Sequence, residues 1–161
     1  GVAGGNPAPS WFELEARFGP LIDALSPEER SFLKKPAPGP ARNLAWTMEA
    51  SVTLAWALSW TDAALPFDQQ DDGSTILAIA SGEVPMSARI SGATLRPLGE
   101  ILDLLDATHV RWWHIVNAQA MGRPIPEGMH QGIVLERLRA LCWLTGHQNV
   151  GTAWDDIDLS S

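Results

Sequence analysis

The sequence predicts an all-α fold, an irregular bundle of about five to six helices. Apolar residues recur at three- and four-residue steps between Leu98 and Val116 and again between Val134 and Thr145. This spacing is typical of helices with one buried face. Proline and glycine punctuate the chain between the apolar segments, as expected for helix ends and loops. One short strand or extended segment near 86–95, where alternation is weak, is the alternative to an entirely helical chain.

Proline residues mark the predicted helix start and the predicted connector in the N-terminal part of the chain. Residues 1–10 are small, uncharged and rich in Gly and Pro, so we expect a flexible segment there, with Gly1 a candidate tag remnant. A single helical domain is expected over 11–161. The letters SPEE open a predicted short helix over 26–35, because they combine an N-cap, a proline at the first helical position and acid in the first turn. Three prolines within 36–40 then predict an extended connector.

Four further helices are predicted between proline and glycine stops. Residues 41–60 are apolar nearly all round, which predicts a central, buried helix. The acid-rich segment 66–73 is expected to be an exposed loop, and Gly146 is a natural C-cap for the last helix. In chain order the helices are the central one, a short one over 74–80, a long one from Pro97 to Gly122 and the last over about 127–144.

Composition excludes several classes of protein. With 161 residues, 45% of them hydrophobic, the chain can bury one ordinary core without disulfides. The single Cys142 excludes an internal disulfide and fits a reducing, cytoplasmic compartment. A net charge of -8 disfavours nucleic acid as a partner. A membrane partner is not expected, since Glu49 and several hydroxyls interrupt the longest apolar stretch. The aromatics are eight Trp and four Phe, so the protein is tryptophan-rich and no phenol is available for catalysis.

Glu49 is the most informative residue for function. It is the only charge between Asn43 and Thr61, on a helix expected to be buried, so its carboxylate must pair, protonate or face a cavity. One interpretation is a general base or a metal ligand. The favoured interpretation is a salt bridge or hydrogen bond to an arginine of the last helix, because paired buried charges are commoner than catalytic ones.

A second group of candidate binding residues lies near the C-terminus. Glu136, Arg139 and Trp143 share one helical stripe, where a guanidinium can bond the acid and stack on the indole, while Arg137 points to another face. Such a stripe can bind an anionic ligand, although the favoured role of its arginine is to order neighbouring acidic side chains. The candidate binding residues are therefore Glu49, Glu136, Arg137, Arg139, Trp143, Trp154 and Asp155.

No metal, cofactor or catalytic nucleophile is predicted. His109 and His114 are five residues apart and lie on different helix faces, unlike the i, i+4 pair of zinc proteases. The sequence contains no Gly-x-Ser-x-Gly turn and no glycine-rich phosphate loop.

The C-terminal part resembles a known family. The run IVLERLRALCWL over 133–144, followed by WDDI at 154–157, is similar to the signature of the domain-of-unknown-function 4272 family. The resemblance covers most of the chain from about Trp11 onward. Its upstream parts are LSPEE at 25–29, Trp46 with Glu49 and Ala50, WAL at 56–58, EILD at 100–103 with Trp112 or Trp113, and GRP at 122–124.

The resemblance implies a mostly helical, bacterial cytoplasmic protein and supplies no mechanism. Cys142 stands where the family usually has Asn, and Thr47 stands where an Arg commonly follows the Trp, which weakens any polar network through those positions. The ending at Ser160 and Ser161 also differs from the usual acidic-Thr pattern, and many members carry a longer N-terminal segment.

Three functions fit these observations. The favoured one is a non-catalytic interaction or regulatory module whose candidate binding residues are largely structural. The alternative is a small-molecule-binding protein with a Trp-lined pocket near Glu49. The least favoured is a hydrolase that uses Glu49 or Glu136 with a histidine. The partner, whether a protein or a small molecule, is not specified by the sequence.

Overall fold

A computed structural model describes residues 10–35, 46–62, 65–147 and 151–159, and these residues form helices and loops only. The absence of strands over these ranges confirms the all-α prediction. The α-helices described are α1 (Trp11–Phe18), α2 (Pro27–Lys34), α3 (Thr47–Ala57), α4 (Ser74–Ser81), α5 (Met86–Ser91), α6 (Leu98–Ala120) and α7 (Gln131–Thr145). Two 3-10 helices cover Gly19–Ala24 and Trp154–Asp156.

The chain divides into two compact units. Unit 1 consists of Gly1–Ala45 and Ala153–Asp156, and unit 2 consists of Trp46–Thr152 and Ile157–Ser161. The single domain over 11–161 stays a prediction. Three expectations fall on residues outside the described ranges, namely the flexible segment before Ser10, the proline connector at 36–40 and the first turn of the central helix at 41–45.

Unit 1 is built on capped helices. At the start of α2, the Ser26 hydroxyl accepts the backbone N–H of Glu29 while the Glu29 carboxylate accepts that of Ser26, which is a capping box. Ser10 makes the same reciprocal box for α1. Asp155 adds a third contact at α2, because its carboxylate accepts the backbone N–H of Glu28 at 3.1 Å. The predicted helix start at 26–29 is therefore confirmed.

Unit 2 has its core around α7. The α3 and α6 helices both pack against α7, and α4 packs against α3. The Cys142 thiol lies in this core, where burial raises its pKa. The buried core cluster is formed by Ala57, Ile101, Leu105, Leu138, Leu141 and Cys142. None of the described helices combines the length and the apolar character that crossing a membrane requires.

Three element boundaries differ from the predictions. The segment near 86–95 is helical at α5 rather than extended, because a helix of six residues is too short to show its period in the sequence. The central helix ends at Ala57 instead of Trp60, in a Schellman turn with Ser59 left-handed at φ 56°. The last helix starts at Gln131, and its predicted C-cap, Gly146, is confirmed by its left-handed φ of 67°.

Trp46 packs across the first turn of α7. Its ring stacks on the His130 imidazole at a centroid distance of 4.8 Å, and the His130 side chain accepts the backbone N–H of Gly132 at 3.2 Å. A Cβ atom on Gly132 would lie 2.8 Å from Cε3 of Trp46, closer than real Cβ contacts. Glycine is therefore required at position 132 because the Trp46 indole leaves no room for a Cβ atom, and not because of the backbone conformation there.

We expect Gly132→Ala to lower the free energy of unfolding by about 1–3 kcal/mol, because the methyl group displaces the Trp46 ring. Gly99→Ala is the matched control, since Gly99 lies in α6 and a Cβ atom added there would meet no neighbouring side chain within 4 Å. There alanine should stabilise by about 0.5–1 kcal/mol through helix propensity. Chemical denaturation measures both changes, and a stabilised Gly132→Ala protein would contradict the contact.

His109 on α6 forms an edge-to-face contact with His147, with the ring centroids 5.0 Å apart. Burial lowers the pKa of His109 from its ordinary value of 6.5, the nearby His147 lowers it further, and Asp106 acts in the opposite direction. Folding therefore favours the neutral form of this imidazole.

Acidification from about pH 8 to about pH 5 should destabilise the wild-type protein more than it destabilises His109→Gln. Because the folded pKa of His109 is lowered, its contribution is present above pH 6.5 and is lost as the pH falls through the folded pKa. Urea denaturation across the pH range gives the two profiles, and parallel profiles would contradict this assignment.

Candidate functional site

Glu49 lies in the first turn of α3 and is completely buried. An ionised carboxylate in such a place is destabilising by several kcal/mol unless charges or hydrogen bonds compensate it. Its neighbours on α3 include Ala50, Val52 and Thr53, which are also buried. The compensation must therefore come from other elements.

Arg137 on α7 supplies the opposite charge. Its Nε and Nη2 atoms both donate to Oε2 of Glu49, at 3.1 and 2.7 Å, and only 1% of its side chain is exposed. The predicted pairing of Glu49 with an arginine of the last helix is confirmed. The arginine is Arg137, however, and not Arg139 of the proposed stripe.

The second oxygen of Glu49 holds a loop. Oε1 accepts the backbone N–H of Asp71 at 2.6 Å. The Asp71 carboxylate in turn accepts the backbone N–H of Gly73 at 2.7 Å and the hydroxyl of Thr75 at 3.0 Å. One buried carboxylate thus connects α3, α7 and the segment 65–73 that leads into α4.

Phe67, near the N-terminal end of the segment 65–73, makes a second set of contacts with the rest of unit 2. Its backbone carbonyl accepts the N–H of His130 at 2.7 Å. The guanidinium of Arg111 lies 4.1 Å from the centre of the Phe67 ring, and that of Arg137 lies 5.3 Å from it. Such cation–π contacts favour a fixed ring position. The segment 66–73 forms a mostly exposed loop, as its composition predicts, and these contacts fix it at Phe67.

A cavity of about 320 Å³, partly open to solvent, lies beside the ion pair. We call it the Arg137 cavity, and its lining is aliphatic, amide and acidic. The Nη1 atom of Arg137 is buried and has no hydrogen-bond acceptor within the described part of the chain. The residues that line the cavity are Val52, Leu65, Pro66, Gln69, Gln70, Asp71, Asp72 and Arg137.

The expected tryptophan lining is not found among these residues. Indoles of unit 2 are engaged elsewhere, as Trp46 stacks on His130 and Trp56 lies under the Arg96 guanidinium at 4.7 Å. Sequence analysis also missed Asp71 and the two glutamines. The available signal was Asp71 two residues before Gly73, a spacing at which an aspartate accepts a backbone N–H.

The remaining candidate residues are described by their own contacts and exposure. Glu136 and Arg139 form the predicted pair along α7, at 3.2 Å, and Trp143 on the same helix is 45% exposed. Trp154 and Asp155 belong to unit 1, where Asp155 caps α2. Within the residues that the structure describes, no three His, Cys, Asp or Glu side chains are grouped so that they could hold a metal ion.

Comparison with known proteins identifies the family. The family model described as Domain of unknown function (DUF4272) matches residues 2–157. The chain belongs to this family. No curated protein and no solved structure matches the chain. The match confirms the family resemblance that the C-terminal sequence indicates. The matched range contains both Glu49 and Arg137. The family description assigns no chemistry to either residue.

We expect Glu49→Gln to lower the free energy of unfolding by about 3–5 kcal/mol, because a buried Arg137 would lose its counter-charge. Glu100→Gln is the control. That carboxylate lies 3.6 Å from Arg96 with 52% of its side chain exposed, so its loss should change stability by about 0.5 kcal/mol or less. Urea denaturation at neutral pH compares the variants, and equal losses would contradict a compensated buried charge.

Proposed function

We propose that this domain is a non-catalytic binding module that holds a small molecule in the Arg137 cavity. The observation that carries the proposal is a cavity of about 320 Å³ that is lined by both apolar and hydrogen-bonding side chains. Clefts with apolar walls and a few polar groups are the usual sites for small molecules.

The size and rigidity of the cavity support small-molecule binding. A volume of about 320 Å³ is at the lower end of the range for small-molecule sites. The lining is held in place before a ligand arrives, because Glu49 binds both Arg137 and the backbone of Asp71. A preformed site avoids much of the entropy loss that accompanies ordering of a loop.

The burial and pairing of Glu49 and Glu136, the two acids considered for catalysis, favour binding over hydrolysis. Glu49 accepts three hydrogen bonds through its two oxygens and is completely buried. Glu136 is 7% exposed and paired with Arg139. A general base must reach the proton that it removes, and these contacts support a structural role for both carboxylates.

A second candidate function is an interaction module, and the outward face of α6 favours it. Leu102, Trp113 and Val116 lie on one side of this helix and are 41%, 60% and 40% exposed. Clustered exposed apolar side chains commonly mark protein interaction sites. A cytoplasmic, reducing compartment is part of the same proposal and is supported by the lone, buried Cys142.

The test of small-molecule binding is a screen of polar fragments by amide NMR. We expect bound fragments to shift the backbone amides of 69–72 in the wild-type protein. Gln70→Trp should abolish these shifts, because the indole would fill the cavity from an exposed lining position. Asp68→Trp is the matched control, at an exposed neighbour outside the lining. Shifts confined to the Trp113 indole would favour the α6 surface instead, and no shift at 69–72 would contradict the proposal.

A further inference from the structure

The kind of partner that the outward face of α6 fits follows from the residues on that face, and this inference rests on the second candidate function. The helix packs in unit 2 through buried side chains such as Ile101 and Ile115. Its other side keeps five large apolar side chains that are at least 40% exposed. These are Leu98, Leu102, Val110, Trp113 and Val116.

The outward positions of α6 have the spacing of a coiled-coil seam. Steps of three and four residues alternate from position 99 to position 116, which keeps one stripe of a helix facing a second helix along its length. Five of the six residues at these positions are exposed and His109 is partly buried. The six residues, which we call the α6 stripe, are Gly99, Leu102, Asp106, His109, Trp113 and Val116.

The α6 stripe is complementary to itself when two copies of the helix run antiparallel. A two-fold dimer requires this property, because the same surface is used by both copies. One register places Asp106 of each copy opposite His109 of the other. An imidazole has an N–H donor in either charge state, and a carboxylate accepts it. The same register places Trp113 opposite the smaller Leu102, so the polar pairs in the middle are flanked by apolar layers.

Other arrangements of the α6 stripe leave its acid without a complementary group. In a parallel pair, Asp106 faces Asp106 of the second copy, and like charges that face each other across an interface repel. A shift of the antiparallel register by one heptad places Asp106 opposite Leu102 or Val116. A wholly apolar partner would likewise offer this carboxylate no donor. Charge and size therefore favour one antiparallel register with a second copy of this chain.

We infer that two copies of this chain associate through the α6 stripe, with the helices antiparallel and Asp106 of each copy facing His109 of the other. The stripe covers about five turns of the helix, so the contact is continuous. Trp113 is the expected anchor of each apolar layer, because tryptophan is enriched among the residues that dominate binding energy at interfaces.

Sedimentation equilibrium of the full chain measures the association. We expect the average mass to rise toward that of a dimer as the concentration increases through the micromolar range. Trp113→Glu should raise the dissociation constant by about tenfold or more, because a charge replaces an apolar anchor. Leu77→Glu is the matched control, since Leu77 is 67% exposed on α4, and it should change the constant by less than about twofold. Circular dichroism verifies that both variants are folded.

A pair of cysteines tests the register and keeps Trp113 in place. Gly99 lies opposite Val116 of the second copy in the antiparallel arrangement, whereas the two positions are about 25 Å apart along one helix. A disulfide requires Cα atoms within about 7 Å of each other. Gly99→Cys combined with Val116→Cys should therefore form a covalent dimer on mild oxidation, and neither single variant should. The wild-type chain is the control, because Cys142 is buried.

The outcomes separate this inference from the functions proposed above. A protein that stays monomeric at every concentration would overturn the association, as would a dimer that Trp113→Glu leaves unchanged. Single-cysteine variants that cross-link as readily as the double variant would overturn the antiparallel register. If the protein is monomeric and a ligand still shifts the Trp113 indole, the interaction module survives without the second copy. Fragment binding at 69–72 tests the Arg137 cavity independently of all these results.

Discussion

The ion pair between Glu49 and Arg137 is the interaction on which the organisation of unit 2 depends. Removing two charges from water is destabilising by several kcal/mol for each ion, and the mutual attraction offsets this only when the geometry is good and further hydrogen bonds are made. Here one carboxylate oxygen accepts two bonds from the guanidinium and the other accepts the backbone of Asp71. An arrangement that separates α3 from α7 would leave both charges buried without compensation. The pair therefore restricts how these helices can pack.

The same constraint creates the candidate site. Glu49 accepts hydrogen bonds from Nε and Nη2 of Arg137, while Nη1 has no acceptor in the described part of the chain. Glu49 also binds the segment 65–73 through the backbone N–H of Asp71. Phe67 anchors that segment again through its carbonyl and its ring. The residues between these two anchors include Gln69 and Gln70, which line the Arg137 cavity. A group that is buried for structural reasons thus helps to shape a cavity that is partly open to solvent.

Prediction from the sequence succeeded where the signal is local. The N-cap at Ser26, the ends of α6 and the C-cap at Gly146 each depend on residues within a few positions of one another. That Glu49 needs a partner could also be predicted from local sequence, because it is a single acid in an apolar helix. Which residue is the partner could not be predicted from local sequence. Buried positions lie around most of the circumference of α7, so its apolar pattern does not select Arg137 over Arg139.

The sequence by itself determined the helical class of this protein, the positions of its best-capped helix ends and the requirement that a buried acid be compensated. Only the tertiary structure decided which arginine compensates Glu49, that the acidic segment 65–73 folds against the pair, and that a cavity lies between them. The physical reason is distance along the chain. Asp71 and Arg137 meet Glu49 across 22 and 88 residues, and contacts of that range arise from helix packing rather than from the spacing of neighbouring residues.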